Sequence, residues 1–289
     1  MSPDVLLACA NVLGESPLWC TRRQRLFWVD IRAPALFACD ADGANVTTTM
    51  MPEAIGSFAF RRDDTLVAAM KSGLYDFDPA SGRHVLIAAP DAALPDHRFN
   101  EGKCDAHGRF WAGTMNDVVR EPTGSLFRLD RDRSCGRILT GIAVPNSLAW
   151  SPDGTVMYFA DTETQTILAY QFDADAGVPR NPRLFADLRS GRGRPDGSTI
   201  DAQGCLWNAE VVTGRIARYA PDGRLLGAWK LPVSRVTSLT FGGADLRTIY
   251  ATTSSYKLTP AQLAQEPHAG ALFAMRAPVE GLPAATFGA

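Results

Sequence analysis

The sequence predicts an all-β fold, a six-bladed β-propeller with four-stranded antiparallel blades. Two observations carry this. A unit of strand, polar turn and strand recurs six times, and most units continue into two further strand-sized runs. The paired strands read ESPLWCTRRQRLFWVDI from Glu15, GSFAFRRDDTLVAAM from Gly56 and NEGKCDAHGRFWAGTM from Asn100. They continue as NSLAWSPDGTVMYFADT from Asn146, DGSTIDAQGCLWNAEV from Asp196 and TSLTFGGADLRTIYATT from Thr237. The turns open at Cys20, Arg61, Asp105, Ser151, Asp201 and Gly242. Five residues before each opening stand Glu15, Gly56, Asn100, Asn146, Asp196 and Thr237, spaced 41, 44, 46, 50 and 41 residues apart. Strand-based units at that period exclude the helical repeats and leave a propeller.

Each element follows from local signals. The third strands are ALFACDADG from Ala35, GLYDFDPASG from Gly73, SLFRLDR from Ser125, TILAYQFD from Thr166, RIARYAPDG from Arg215 and ALFAMRA from Ala271. Most end on Asp with Gly nearby, a hairpin signal. Fourth runs include VLIAA from Val85, RLFADL from Arg183 and LLGAWKL from Leu225. The last unit has no fourth run, while VLLACA from Val5 has no partner in its own unit. That N-terminal run is expected to supply the outermost strand of the sixth blade, closing the ring and removing two sheet edges. One helix is expected, TPAQLAQE from Thr259, inserted between two strands of the last blade. Thr259 caps it, Pro260 suits its first position and Gln262 completes a capping box. The Arg/Gly-rich stretch RSGRGRPDG from Arg189 runs straight into Asp196 and reads as a loop at the channel mouth. Trp28, Trp111 and Trp207 recur on second strands as core, and Trp19, Phe60 and Trp150 pack between blades. Met115 and Tyr256 lie near strand ends, where they can wall a pocket.

Bulk properties narrow the class. The 289 residues are expected to form one domain spanning 1–289, with 46% hydrophobic and 21% charged content. A formal net charge of −2 offers no electrostatic case for nucleic acid or an acidic membrane. Apolar runs are strand-sized, and no Lys or Arg precedes Arg22 to make a signal peptide, so a cytoplasmic location is expected. The six cysteines form no CxxC pair and read as reduced, mostly buried thiols. The four histidines show no metal spacing; His97 and His107, flanking the Asn100 unit, are the less settled ones. No GxSxG, GxxxxGK[ST] or GxGxxG motif is present.

The column of six equivalent positions carries the functional reading. First strands of a propeller line its channel, so these side chains converge. Glu15 and Asp196 bring carboxylates, Asn100 and Asn146 bring amide oxygens, Gly56 leaves room and Thr237 is small. An all-oxygen set suits Ca²⁺, Mg²⁺ or Mn²⁺, with Zn²⁺ or Fe²⁺ also compatible. The following residue is small in most units but is Glu101 in the third, a substrate hydroxyl contact or a general base. Arg98, two residues before Asn100, is placed to hold a substrate oxygen.

The motifs LGESPLW around Glu15, RFNEGKCD from Arg98 to Asp105, GRFWAGTM, PNSLAWSPDG, RPDGSTIDAQGCLW and FGGADLRTIYATT resemble the SMP-30/gluconolactonase/regucalcin family. The resemblance runs from about Leu13 to about Phe273. It implies a six-bladed propeller and a metal-dependent lactonase that opens a sugar lactone to the aldonic acid in sugar catabolism. It further implies that Glu15, Asn146 and Asp196 hold one divalent metal ion, and that Arg98, Asn100 and Glu101 contact substrate. The family commonly has Asp where this chain has Glu101, which shifts a carboxylate by about one C–C bond. In the implied reaction the metal polarises the lactone carbonyl or activates water, and Asp196 is the first candidate for general base. The expected partner is a small sugar lactone, and the chain a monomer or weak homo-oligomer. Two other readings fit the same residues: a calcium-binding regulatory propeller without turnover, and an aryl-ester or phosphotriester hydrolase.

Overall fold

The computed structural model describes residues 3–288. It contains six four-stranded antiparallel sheets, each built from consecutive strands except one. Blade 1 begins with the innermost strand Gly14–Cys20, blade 2 with Ile55–Phe60, blade 3 with His97–Cys104, blade 4 with Pro145–Trp150, blade 5 with Arg194–Ile200 and blade 6 with Val236–Gly242. Each innermost strand packs against the next around the ring, and that of blade 6 packs against that of blade 1. Blade 6 is the exception in order: its outermost strand is the N-terminal Asp4–Leu7, paired with Leu272–Arg276 through Asp4↔Ala274, Val5↔Phe273 and Leu7↔Leu272. The expected closure by the N-terminus is what the chain does.

Alternation along the strands sets the layers. Middle strands are buried on both faces, as in LVAAM at Leu66–Met70, whereas outermost strands such as Thr47–Met50 are largely exposed. Trp28, Trp111 and Trp207 are fully buried in their blades. Trp19 stacks on Tyr250 of blade 6, Phe60 meets Phe27 of blade 1 edge-on, and Trp150 leans on Trp111 of blade 3, so these three do pack between blades. The helix Pro260–Gln265 has Thr259 at its cap with both halves of the capping box formed to Gln262.

Two features of the ring position the site. First, in all six innermost strands the pairing register slips at or beside the column position, as between Glu15 and Leu18 or between Pro195 and Ser198. A bulge leaves residues unpaired and re-aims their side chains. After Glu15 and Asn146 the bulge puts Ser16 and Ser147 at φ of 48° and 57°, a left-handed conformation that non-glycine residues seldom adopt. Second, the C-terminal segment crosses the far end of the channel. Leu282, Pro283, Ala284 and Ala285 meet Leu18, Ala59, Lys103, Ala149, Thr199 and Thr240, each three residues past its column position. The segment is latched by Phe287, buried in the core of blades 2 and 3, whose N–H donates to the Phe60 carbonyl.

Gly56 corrects one expectation. It leaves no room in the channel: a Cβ there would run into the Phe99 and Asn100 carbonyls of blade 3, so the position accommodates a close backbone approach.

Candidate functional site

At the open end of the channel lies a cavity of about 210 Å³. Pockets for drug-sized ligands start near 300 Å³, so this one suits a single small ring. Glu15, Asn100, Asn146, Asp196 and Thr237 line it, together with Arg98, Met115 and Tyr256. Gly56 is the column position missing from the wall. His97 and His107 do not line it either; His97 is buried beside Asp91 and Thr123.

The amides are oriented by their neighbours. The Thr162 hydroxyl donates to the Pro195 carbonyl at 2.8 Å, so it can only accept from Asn146 Nδ2, also at 2.8 Å. That fixes the Asn146 amide with Oδ1 turned from Thr162, where it accepts one hydrogen bond from Asn100 Nδ2 at 3.2 Å. Asn100 is fixed in turn: Arg98 Nη1 donates to its Oδ1 at 2.8 Å, and its Nδ2 also donates to the Pro145 carbonyl. Arg98 is anchored by Nε to Asp117 at 2.8 Å and by Nη1 to the Phe99 carbonyl. Among the described residues its Nη2 has no acceptor. Asp117 also takes both Nη groups of Arg32, and the two guanidinium groups outweigh burial to hold its carboxyl below the usual range.

The carboxylates are under electrostatic load. Burial, and then the Glu101 charge, push Glu15 up to about 8. Burial, then Glu15 and Glu101, push Asp196 well above the ordinary range. Asp196 Oδ1 is buried and has no hydrogen-bond partner in the protein. Two buried carboxyls that repel one another, an unpartnered oxygen and an oriented amide oxygen form a donor set that a hard divalent cation fits. Among the described residues no three His, Cys, Asp or Glu side chains gather into a metal cluster. The fitting set is two carboxylates and an amide, Glu15, Asp196 and Asn146.

Glu101 stands apart from the other expected substrate contacts. It is buried but does not line the cavity; Oε1 lies 3.2 Å from Lys103 Nζ, and Oε2 accepts the Ser147 N–H at 3.1 Å. It therefore holds the bulge that aims Asn146 and adds negative charge near Glu15 and Asp196. Sequence reasoning missed Arg32, Asp117, Thr162, Val212 and Ser254. All five line the cavity and lie one or two residues past the second strand of their blades. They recur 11 or 12 residues past the turn openings of their blades, but nothing in that spacing assigns them to the wall.

Fold and site together define a β-propeller that gathers a polar binding site at one mouth of its channel. The chain belongs to the family described as SMP-30/Gluconolactonase/LRE-like, whose region matches residues 13–255. It is 37% identical over 272 residues to a 6-deoxy-6-sulfogluconolactonase of Pseudomonas putida, covering 94% of this chain and 93% of that protein. It is 35% identical over 281 residues to an L-arabinolactonase of Azospirillum brasilense, covering 96% and 92%. A crystal structure described as a calcium-binding protein, regucalcin, from Agrobacterium tumefaciens superposes with a TM-score of 0.94 at 28% identity, over 98% of this chain and 96% of that one.

Proposed function

We propose that this protein is a divalent-metal-dependent sugar lactonase. The observation that carries the reading is the buried Glu15–Asp196–Asn146 donor set, with Asp196 Oδ1 unpartnered, in a cavity sized for one sugar ring. The lactonase names of the relatives support the substrate class. The calcium-binding description of the structural neighbour supports a cation.

When bound, a divalent ion supplies electrophilic polarisation of the ester carbonyl. The protein's own groups do the rest. Asp196, with one oxygen given to the cation, would keep its other carboxylate oxygen to accept the proton of an attacking water. Arg98, held rigid by Asp117 and the Phe99 carbonyl, presents Nη2 to a substrate hydroxyl. The remaining lone pair of Asn100 Oδ1 accepts from another hydroxyl. Because these groups are buried, a sugar epimer that leaves one unpaired is discriminated against. Glu101 acts here as a positioning residue through Ser147.

The test is lactone hydrolysis over a panel of aldonolactones, with and without chelator, for wild type and Asp196→Ala. Chelation should abolish activity, and one of Ca²⁺, Mn²⁺, Zn²⁺, Mg²⁺ or Fe²⁺ should restore it. Asp196→Ala should lower kcat/KM by roughly 100- to 10,000-fold. Activity that survives both treatments would overturn the metal reading. Tight cation binding without hydrolysis of any lactone would turn the proposal into the non-catalytic one.

A further inference from the structure

The cavity wall above the carboxylates is cationic, and its cations are not equally satisfied. Arg32, Arg98, Arg120, Arg194, Arg235 and Lys257 line it. Arg32 and Arg98 share Asp117, while Arg120 and Arg194 share Glu163. Among the described residues, neither Arg235 nor Lys257 has a carboxylate within ion-pair distance. Lys257 is exposed at the rim, against the Tyr256 ring. Arg235 is half-buried, and its Nε is buried with no hydrogen-bond partner. Glu266, the acid whose charge acts on Arg235, spends Oε2 on the Ser234 N–H and hydroxyl.

A guanidinium N–H taken out of water without an acceptor carries a cost that a ligand acceptor removes. Arg235 shares the cavity wall with Glu15 and Asp196 but pairs with neither, so its guanidinium is left for a bound molecule. Its loop joins blades 5 and 6: it bridges to Val211, and its carbonyl accepts the Ser254 N–H. Arg120, reaching over from blade 3, adds positive charge beside it.

We infer that the substrate is an aldonolactone bearing an anionic substituent away from its carbonyl, received by Arg235 with Lys257 at the rim. The inference rests on the lactonase reading and narrows its substrate class. A phosphate, a sulfonate and a carboxylate share the required chemistry: a terminal anion able to accept two N–H bonds from one guanidinium.

The experiment compares kcat/KM for glucono-δ-lactone with that for its 6-phosphate, 6-sulfonate and 6-carboxylate analogues, each corrected for spontaneous hydrolysis. The wild type should prefer at least one anionic form by about tenfold or more. Arg235→Gln should reduce the anionic-to-neutral ratio by roughly 10- to 100-fold, chiefly through KM, with Arg235→Lys recovering part of it. The three anions separate the sources. A wild-type ratio near one, or a ratio unchanged in Arg235→Gln, would overturn the inference. If no lactone is hydrolysed, the lactonase reading fails and calorimetric binding decides the anion question. Gluconate 6-phosphate binding no more tightly than gluconate sinks it, and tighter binding lost in Arg235→Gln upholds it.

Discussion

Asn146 owes its orientation to a hydroxyl sixteen residues downstream. Thr162 has one proton, given to the Pro195 carbonyl, so the Asn146 amide must present its NH₂ to Thr162 and keep its oxygen for the donor set. Thr162→Val removes that acceptor while keeping shape. Cation affinity, measured by titrating chelated protein, should fall about 10- to 100-fold, and Thr162→Ser should recover most of it. An unchanged affinity would show that Asn146 needs no such support. The carboxyls make a second prediction. The folded-state pKa values of Glu15, at about 8, and Asp196 lie above those of an unfolded chain. The folded state therefore binds more protons across the interval between, and stability falls as pH rises. This contribution is fully present below the ordinary carboxylate range and lost as pH climbs through about 8. In chelator the melting temperature should drop between about pH 4.5 and 8, and saturating divalent cation should raise it most at the alkaline end. A melting temperature flat with pH in chelator would refute the carboxyl strain.

At the scale of the element, one device recurs. Asp201, opening the blade 5 turn, accepts from the N–H groups of Gln203 and Cys205, from the Trp207 indole at 2.8 Å and from Arg218. Asp105 does the same in blade 3 for His107, Arg109 and Trp111. A turn signal and a core tryptophan six residues later are thus one structure, tied by a fully buried carboxylate. Asp201→Ala strands the indole, the guanidinium and two backbone donors. It should cost about 3–5 kcal/mol in urea unfolding, far more than a surface turn. The expected hairpins, the capped helix and the N-terminal strand were legible because their signals are local: Asp–Gly turns, alternating apolar residues and a Thr-x-x-Gln box. The bulges were not, because a register slip is a relation between two strands.

The whole molecule is closed by contacts between residues far apart in sequence. Ser16 Oγ donates to the Gly56 carbonyl, Ser147 Oγ to the Asp196 carbonyl and Thr237 Oγ1 to the Gly14 carbonyl, so the column strands also stitch the ring. The C-terminal segment lies across the end opposite the site, beside the inner strands of the blades. Phe287→Ala should cost about 3–5 kcal/mol through the lost burial and loosen the segment. Thermal unfolding with limited proteolysis of the C-terminal segment measures both, and an unaltered melting temperature would show that Phe287 does not latch it.

The sequence by itself determined the strand-and-turn period, the six blades and the column that holds Glu15, Asn100, Asn146 and Asp196. Those follow from hydrophobic alternation and turn chemistry, which act over a few residues. Only the tertiary structure decided which residues of the column and beside it reach the cavity. Gly56 meets the backbone of the next blade, and Glu101 turns to Lys103 and Ser147. It also brought Arg32, Thr162 and Arg235 to the wall. Their roles depend on partners in other strands and blades, and the closed ring creates those contacts where the one-dimensional pattern leaves no trace.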